Sequence, residues 1–450
     1  MPTVKEACPT IAVVGGGYAG MSAAVTLAQA GVKCVLFETG KTLGGRARRI
    51  EYRGEVLDNG QHILAGAYTE LLRLMRLVGV PDLALKRVPL RLSIPPYFLL
   101  SAPSTARMSG SLRLVWALLT AKGLTFSDKL AAVRLMRTLK RNKFQVAASK
   151  SVATLLTEQR QPQNLIDNLW QPLTISALNT PMASASAQVF ANVLRDSLAS
   201  TGDASDLLLP CVDLTALFPE PAATWLEHQS GEVHTGVRIK QILPDAGRYN
   251  VISETHSQLF DGVILAVGPH QLEGLMTDVI SPALRYEPIV TVYYKFDRRV
   301  RLREVMSGKI GGTAQWFFDR QAIASPDCTV TAPCDVGEGL IAAVISTSGP
   351  HECLSQDELS ERVLNELAQL IPDLPSPVWR KVVTEKYATF ACTPQADRPT
   401  IVTCYPGVFR AGDYVMGDYP ATLEGAVRNG ISAANAAIAY LQNSPLKSRL

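Results

Sequence analysis

Residues 11–38, IAVVGGGYAGMSAAVTLAQAGVKCVLFE, decide the fold. Residues 11–14 are an apolar run of the kind a buried parallel strand shows. The turn Gly15-x-Gly17-x-x-Gly20 follows at once, and the Ala-rich residues 21–30 are predicted to be helical up to Gly31. Gly15 permits the tight turn, Gly17 lets backbone N–H groups approach a pyrophosphate, and Gly20 lets helix and strand pack closely; Tyr18 and Ala19 lie inside the same turn. The helix N-terminus directs its partial positive charge at the phosphates. A second apolar run, 34–37, delivers Glu38 eighteen residues after Gly20, where a carboxylate accepts from ribose hydroxyls and disfavours a 2′-phosphate. Glycines alone make only a glycine-rich loop. Strand, turn, helix and acid in this order predict an α/β, Rossmann-like dinucleotide-binding domain.

At 450 residues the chain exceeds the roughly 250–300 at which single cores divide, so two domains are expected. With 47% hydrophobic and 19% charged residues it has the balance of a buried globular enzyme and not of a disordered chain. Its eight cysteines form no CxxC pair and no metal-like cluster with histidine, so neither disulfides nor a metal site is expected and a reducing, cytoplasmic compartment is. Residues 1–10 carry an acid and a proline and no apolar core of a secretory signal, and no uninterrupted apolar run reaches the ~18–20 residues of a membrane span. The C-terminal Ser448-Arg449-Leu450 resembles a peroxisomal tripeptide, too short a match to alter that expectation.

The net charge of +4 is unevenly spread. Between Lys86 and Phe144 twelve Lys/Arg face the single acid Asp128, a net of +11 that leaves −7 for the rest. This segment also holds Pro95-Pro96-Tyr97-Phe98-Leu99-Leu100, the run Leu112, Leu114, Val115, Trp116, Leu118, Leu119, and Leu130, Val133, Met136 and Leu139 at helical spacing. Cationic amphipathic elements with Trp and Phe suit an anionic membrane surface, with possession of the inner membrane face by a peripheral protein as the corresponding location; an ordinary cap helix with a solvated basic face is the alternative. No nucleic-acid reading module accompanies the charge.

Past Glu38, Leu43-Gly44-Gly45-Arg46 makes a second glycine turn beside guanidinium groups, suited to a further anion contact, and Asp58-Asn59-Gly60-Gln61-His62 follows as a polar turn. LGGR after the GxGxxG–Glu unit, together with Ala411-Gly412-Asp413 near the C-terminus, resembles the FAD-dependent amine oxidase and phytoene desaturase superfamily. More closely, LDNGQHILAGAY (57–68), LWQPLTISALNTP (169–181), SDLLLP (205–210) and AGDYVMGDYPATLEGAVRNG (411–430) resemble hydroxysqualene dehydroxylases, the squalene-associated FAD-dependent desaturases. The resemblance implies FAD in a Rossmann-like domain made of residues 1–85, 225–285 and 395–450, with a second α+β substrate domain, 86–224 and 286–394, inserted. It also implies an isoprenoid lipid substrate. Gly60, Gln61 and His62 would lie near the flavin, Ile239 would meet adenine through its backbone ahead of a small β-meander, and Gly412 and Asp413 would bond the ribityl or diphosphate region. Ala421 and Thr422 would open a flavin-facing helix predicted to begin at Pro420.

On that resemblance the reaction is reductive loss of a hydroxyl from an allylic C30 alcohol, for which a proton donor is needed because hydroxide leaves poorly. His62 is the preferred donor, Tyr419 and Asp418 the next; His270 is expected to be structural. Phe98, Trp116, Trp170 and Phe190 are candidate tunnel walls, with core packing the alternative for each. A carotenoid-type desaturase and a flavin-dependent membrane scaffold without turnover remain as alternatives. No second GxGxxG unit marks a nicotinamide domain, so the electron donor is undefined.

Overall fold

The computed structural model describes residues 9–103, 110–198, 203–324 and 338–443. The tripeptide 448–450 lies outside them. Five parallel strands form one sheet in the order Glu232–Thr235, Lys33–Glu38, Thr10–Val14, Gly262–Leu265, Val408–Arg410. Thr10–Val14 is its middle strand, and Ile11, Ala12 and Val13 are fully buried, which is why these residues read as a continuous apolar run without alternation.

The first helix is Tyr18–Gln29 and starts three residues before the predicted position. Gly17 is its N-cap, and Met21 N donates to Gly17 O at 2.9 Å. Gly20 therefore sits in the first helical turn, where a Cβ would stand 1.8 Å from Gly15 O. The C-terminal helix, Leu423–Asn443, packs against this one so closely that a Cβ on Gly430 would meet Ser22 Oγ at 2.1 Å and Ala19 O at 2.2 Å. The two ends of the chain are thus held together. That helix begins after the predicted Pro420, because Ala421 takes φ +56° and Thr422 caps it, its Oγ1 accepting from Gly425 N at 3.0 Å.

A second sheet is antiparallel, in the order Met306–Gly308, Trp316–Asp319, Leu340–Ser346, Tyr286–Lys295, Trp379–Phe390. Its strands alternate between two faces. Phe317, Ile341, Ala343, Val290 and Val292 pack with Leu359, Val363 and Leu367 of the helix Gln356–Ala368, while Trp316, Phe318, Val344 and Ile289 point the other way. Between the sheets in sequence lies the expected meander, Ile239–Asp245, Arg248–Ser253, Ser257–Phe260, turning at Ala246 and Gly247, both at positive φ.

The region after Ile94 is mainly helical. Gly110–Thr120 and Phe126–Arg141 carry six of the twelve Lys/Arg of the basic segment, five of them on the second helix, which is entered through a capping box between Thr125 and Asp128. Pro172 does not end the following helix, as its ring would suggest: the π-helical turn Ile166–Trp170 widens the backbone just before it, and the helix resumes as Gln171–Leu178 until Asn179 turns left-handed.

Candidate active site

The carboxyl ends of the parallel strands open into a cavity of about 1290 Å³ whose opposite wall is the apolar face of the antiparallel sheet. Open α/β sheets bind ligands at this end of their strands. Every residue that the sequence nominates for the cofactor lines the cavity except Gly20, which works from behind by letting the first helix close on Gly15. Tyr18 belongs to the wall while its hydroxyl is committed to Leu214 O at 2.7 Å.

The two glycine turns lie against each other. Gly44 N donates to Gly16 O at 2.9 Å, and a Cβ on Gly45 would come within 3.3 Å of Gly17 Cα. Gly44 and Gly45 have φ of +113° and +63°, conformations that side chains disfavour. Glu38, at the end of its strand, accepts from Gly16 N at 2.6 Å and Gly40 N at 2.7 Å, leaving acceptor positions for further hydroxyls. Arg46, on the cavity wall, donates to protein acceptors, Asp413 Oδ1 at 2.5 Å, Ala388 O at 2.9 Å and Tyr387 O at 3.2 Å. It thereby ties the second glycine turn to the Asp413 loop and to the last strand of the other sheet. The Tyr414 hydroxyl, next along, is buried without a hydrogen-bond partner among the described residues, and burial holds its proton well beyond the ordinary phenol range. An unpartnered buried hydroxyl costs free energy unless something meets it. A glycine cradle, a strand-end carboxylate and this donor are a donor set that fits a flavin dinucleotide.

His62 lines the cavity, with Nδ1 at 2.8 Å from Gly60 O. Only a protonated Nδ1 can make that bond, so in the neutral ring Nε2 is an acceptor. Burial lowers the affinity of the ring for a second proton, the Gly60 carbonyl opposes that shift and Arg46 adds to it. The turn carrying His62 is braced from behind: Arg320 donates to Gln61 Oε1 at 3.0 Å and lies 3.8 Å from Asp58 Oδ2, Gln61 N donates to Thr291 Oγ1, and Tyr293 donates to Asp58 O. Burial pushes the Asp58 carboxyl up to about 7 against the pull of Arg320.

Tyr419 and Asp418 are not brought to the cavity. The Tyr419 hydroxyl donates to Asp196 Oδ2 at 2.8 Å, and Asp418 faces solvent 3.6 Å from Arg195. The left-handed Ala421 accounts for this, since it turns 421–423 inward and leaves 418–419 on the outer side. Nor do Phe98, Trp116, Trp170 and Phe190 line the cavity. Phe98, Trp170 and Phe190 are core residues, and Trp116 is half-exposed. His270 lines the cavity, stacked on Tyr387 with ring centroids 5.2 Å apart.

No local pattern in the sequence singles out Tyr68. It lines the cavity at the entrance to the helix Thr69–Leu77, whose first N–H groups are held by the buried Glu424: Thr69 N, Glu70 N and Leu71 N donate to its carboxylate at 3.0–3.1 Å. Ile289, Trp316, Phe318 and Val344 were also missed as walls. The alternation in WFFD and LIAAVIS is hidden because both faces of those strands are buried.

The family model that matches most of the chain defines its class as a flavoprotein oxidoreductase. The chain belongs to the flavin containing amine oxidoreductase family, whose model matches residues 18–438. Among relatives, it is 27% identical to the hydroxysqualene dehydroxylase of Zymomonas mobilis, over 95% of this chain and 99% of that protein. It is 24% identical to the 15-cis-phytoene desaturase of Glycine max, over 95% and 79%. In structure it is similar to an oxidoreductase from Methanosarcina mazei, with a TM-score of 0.71 at 16% identity over 95% of this chain and 100% of that one. It is also similar to cyclohexylamine oxidase from Brevibacterium oxydans, with a TM-score of 0.66 at 16% identity over 97% and 100%. Those structures share its α/β fold with a parallel and an antiparallel sheet.

Proposed function

We propose that this protein is an FAD-dependent oxidoreductase that reductively removes the hydroxyl of hydroxysqualene, giving squalene and water. One observation carries the proposal: the glycine cradle and the apolar wall of Ile289, Trp316, Phe318 and Val344 share a single cavity of about 1290 Å³. That exceeds the roughly 300–1,000 Å³ of a site for one small ligand, so a long apolar molecule has room beside a dinucleotide. Similarity to hydroxysqualene dehydroxylase over nearly the full length of both chains supports the choice of substrate.

FAD would be held by Gly15, Gly17, Ala19, Glu38, Gly44 and Gly45 on one side and by Gly412, Asp413 and the Ala421–Thr422 turn on the other, with Ile239 at the adenine end. When bound and reduced, it supplies the hydride that replaces the hydroxyl. The protein's own tasks are to exclude water, to hold the hydroxyl and to protonate it. Ile289, Trp316, Phe318 and Val344 provide the dry wall that an allylic cation requires. His62, neutral and with Nε2 as acceptor, orients the hydroxyl by taking its hydrogen bond and is poorly suited to give the proton. Tyr68 is the donor in this account. Burial raises its phenol above the ordinary 10.0, Glu424 adds to the rise and Thr422 opposes it. Held in its protonated form by burial, the phenol is placed to give that proton to the departing hydroxyl.

The test is anaerobic incubation of the reduced protein with hydroxysqualene, and of the oxidised protein with phytoene, with products identified by mass. Squalene from the first supports the proposal. Desaturated polyene from the second, with the alcohol untouched, replaces it with a carotenoid desaturase, to which the phytoene desaturase relative points.

A further inference from the structure

We propose that the outer face of helices Gly110–Thr120 and Phe126–Arg141 docks this protein on an anionic lipid bilayer. On the first helix Leu112, Val115, Trp116 and Leu119 fall at i, i+3, i+4 and i+7 and are 41–58% exposed, while Ala117 and Leu118 on the opposite face are buried. A helix apolar on both faces is normally enclosed; this one is open on one side. Phe126 and Leu130 extend the apolar surface from the second helix, and Tyr97 from a hairpin turn, at 78%, 48% and 74% exposure. The pieces are physically joined. Leu99 and Lys122 exchange backbone hydrogen bonds, and Lys129 Nζ donates to Leu119 O at 2.7 Å.

Charge decides what covers this face. Along the second helix the outward stripe runs Phe126, Leu130, Arg134, Arg137, Arg141, apolar for its first turn and cationic behind. Lys122, Arg134, Arg137, Lys140, Arg141 and Lys143 are exposed, and none forms an ion pair among the described residues. Apolar side chains immersed about 5–10 Å with cations at the phosphate level is the arrangement of an interfacial helix. A symmetric second copy would instead oppose two cationic stripes. No helix among the described residues is long and apolar enough to cross a membrane, so attachment would be to one leaflet.

The inner side of the patch leads towards the cavity. Leu114 and Leu118 share a small apolar void with Leu169 and Leu173, and helix Gln171–Leu178 continues from that void to Ser176, Ala177 and Leu178 on the cavity wall. If the substrate is the isoprenoid proposed above, docking places its bilayer reservoir on the side of the protein from which this helix reaches the cavity wall. The docking itself does not depend on that reading.

The flavin-loaded full-length protein is floated with vesicles of phosphatidylcholine alone or mixed with phosphatidylglycerol, without substrate. Binding to the anionic vesicles that falls as salt rises is expected. Trp116→Ser with Leu119→Ser should weaken it at least about tenfold, and Arg134→Glu with Arg137→Glu by about fivefold or more per site, both with unchanged flavin content and melting temperature. The proposal is overturned if the wild type binds neither vesicle, or if these variants bind as it does. It is equally overturned if light scattering shows a dimer that the Trp116/Leu119 variant dissociates, making the face an interface between copies.

Discussion

Gly17→Ala separates binding of the cofactor from folding of the chain. Gly17 has φ −76° and ψ −179°, a conformation open to alanine, and the added methyl would meet nothing nearer than Gly45 Cα at 3.8 Å. Loss of unfolded-chain entropy stabilises such a substitution by about 0.4–1 kcal/mol, and alanine is a poorer N-cap than glycine by a similar amount, so the net change in stability should lie within about 1 kcal/mol. The methyl nevertheless thickens the cavity wall at the N-terminus of the first helix, where the pyrophosphate would meet the backbone N–H groups. Losing one or two charge-assisted hydrogen bonds there, each about 1.5–3 kcal/mol, predicts a dissociation constant for FAD raised roughly 10- to 10⁴-fold. The assay is flavin titration by fluorescence alongside thermal melting of the apoprotein. Gly20→Ala is the contrasting control: its Cβ would lie 1.8 Å from Gly15 O, so it should disrupt the fold itself. A Gly17→Ala protein that melts normally and binds FAD like the wild type would refute the assignment of this cradle.

Other substitutions test the remaining parts. Tyr68→Phe should lower kcat by about 10²–10⁴ with flavin binding unchanged, as loss of a general acid does; a wild-type kcat in steady-state assays removes Tyr68 from that role. Glu424→Ala strips the carboxylate from three N–H groups and from Arg428 Nε at 2.7 Å, and should cost about 3–5 kcal/mol in denaturant unfolding. His62 is held below its ordinary 6.5 by burial, so as pH falls through about 6.5 the unfolded chain gains a proton that the folded chain refuses. Wild-type stability should therefore fall, relative to His62→Gln, as pH drops below that value, with a constant difference above it; parallel melting curves across the range would contradict this.

What could be read from the residues was what local rules govern. The GxGxxG turn, Glu38, LGGR and Asp413 converge on one cavity because each is a backbone device whose geometry is carried by its own few residues. The antiparallel wall was only half legible. Leu340–Ser346 is buried along its entire length, so it shows no period of two, and its contribution of Val344 depends on partners far away in sequence. Tyr419 and Asp418 were misplaced for a different reason. One left-handed residue, Ala421, sets which side of the loop faces inward, and alanine gives no sign of that conformation. Arg46 could be recognised as important but its partners could not, since the 387–388 carbonyls and Asp413 lie 341 to 367 residues further along the chain.

The most direct test of the central claim is a single turnover. Protein loaded with FAD is reduced, mixed anaerobically with one equivalent of hydroxysqualene, and followed by absorbance while the lipid is extracted. The account predicts that the oxidised flavin spectrum returns as squalene appears, one molecule for each flavin. Flavin that stays reduced while the alcohol is recovered intact would contradict it.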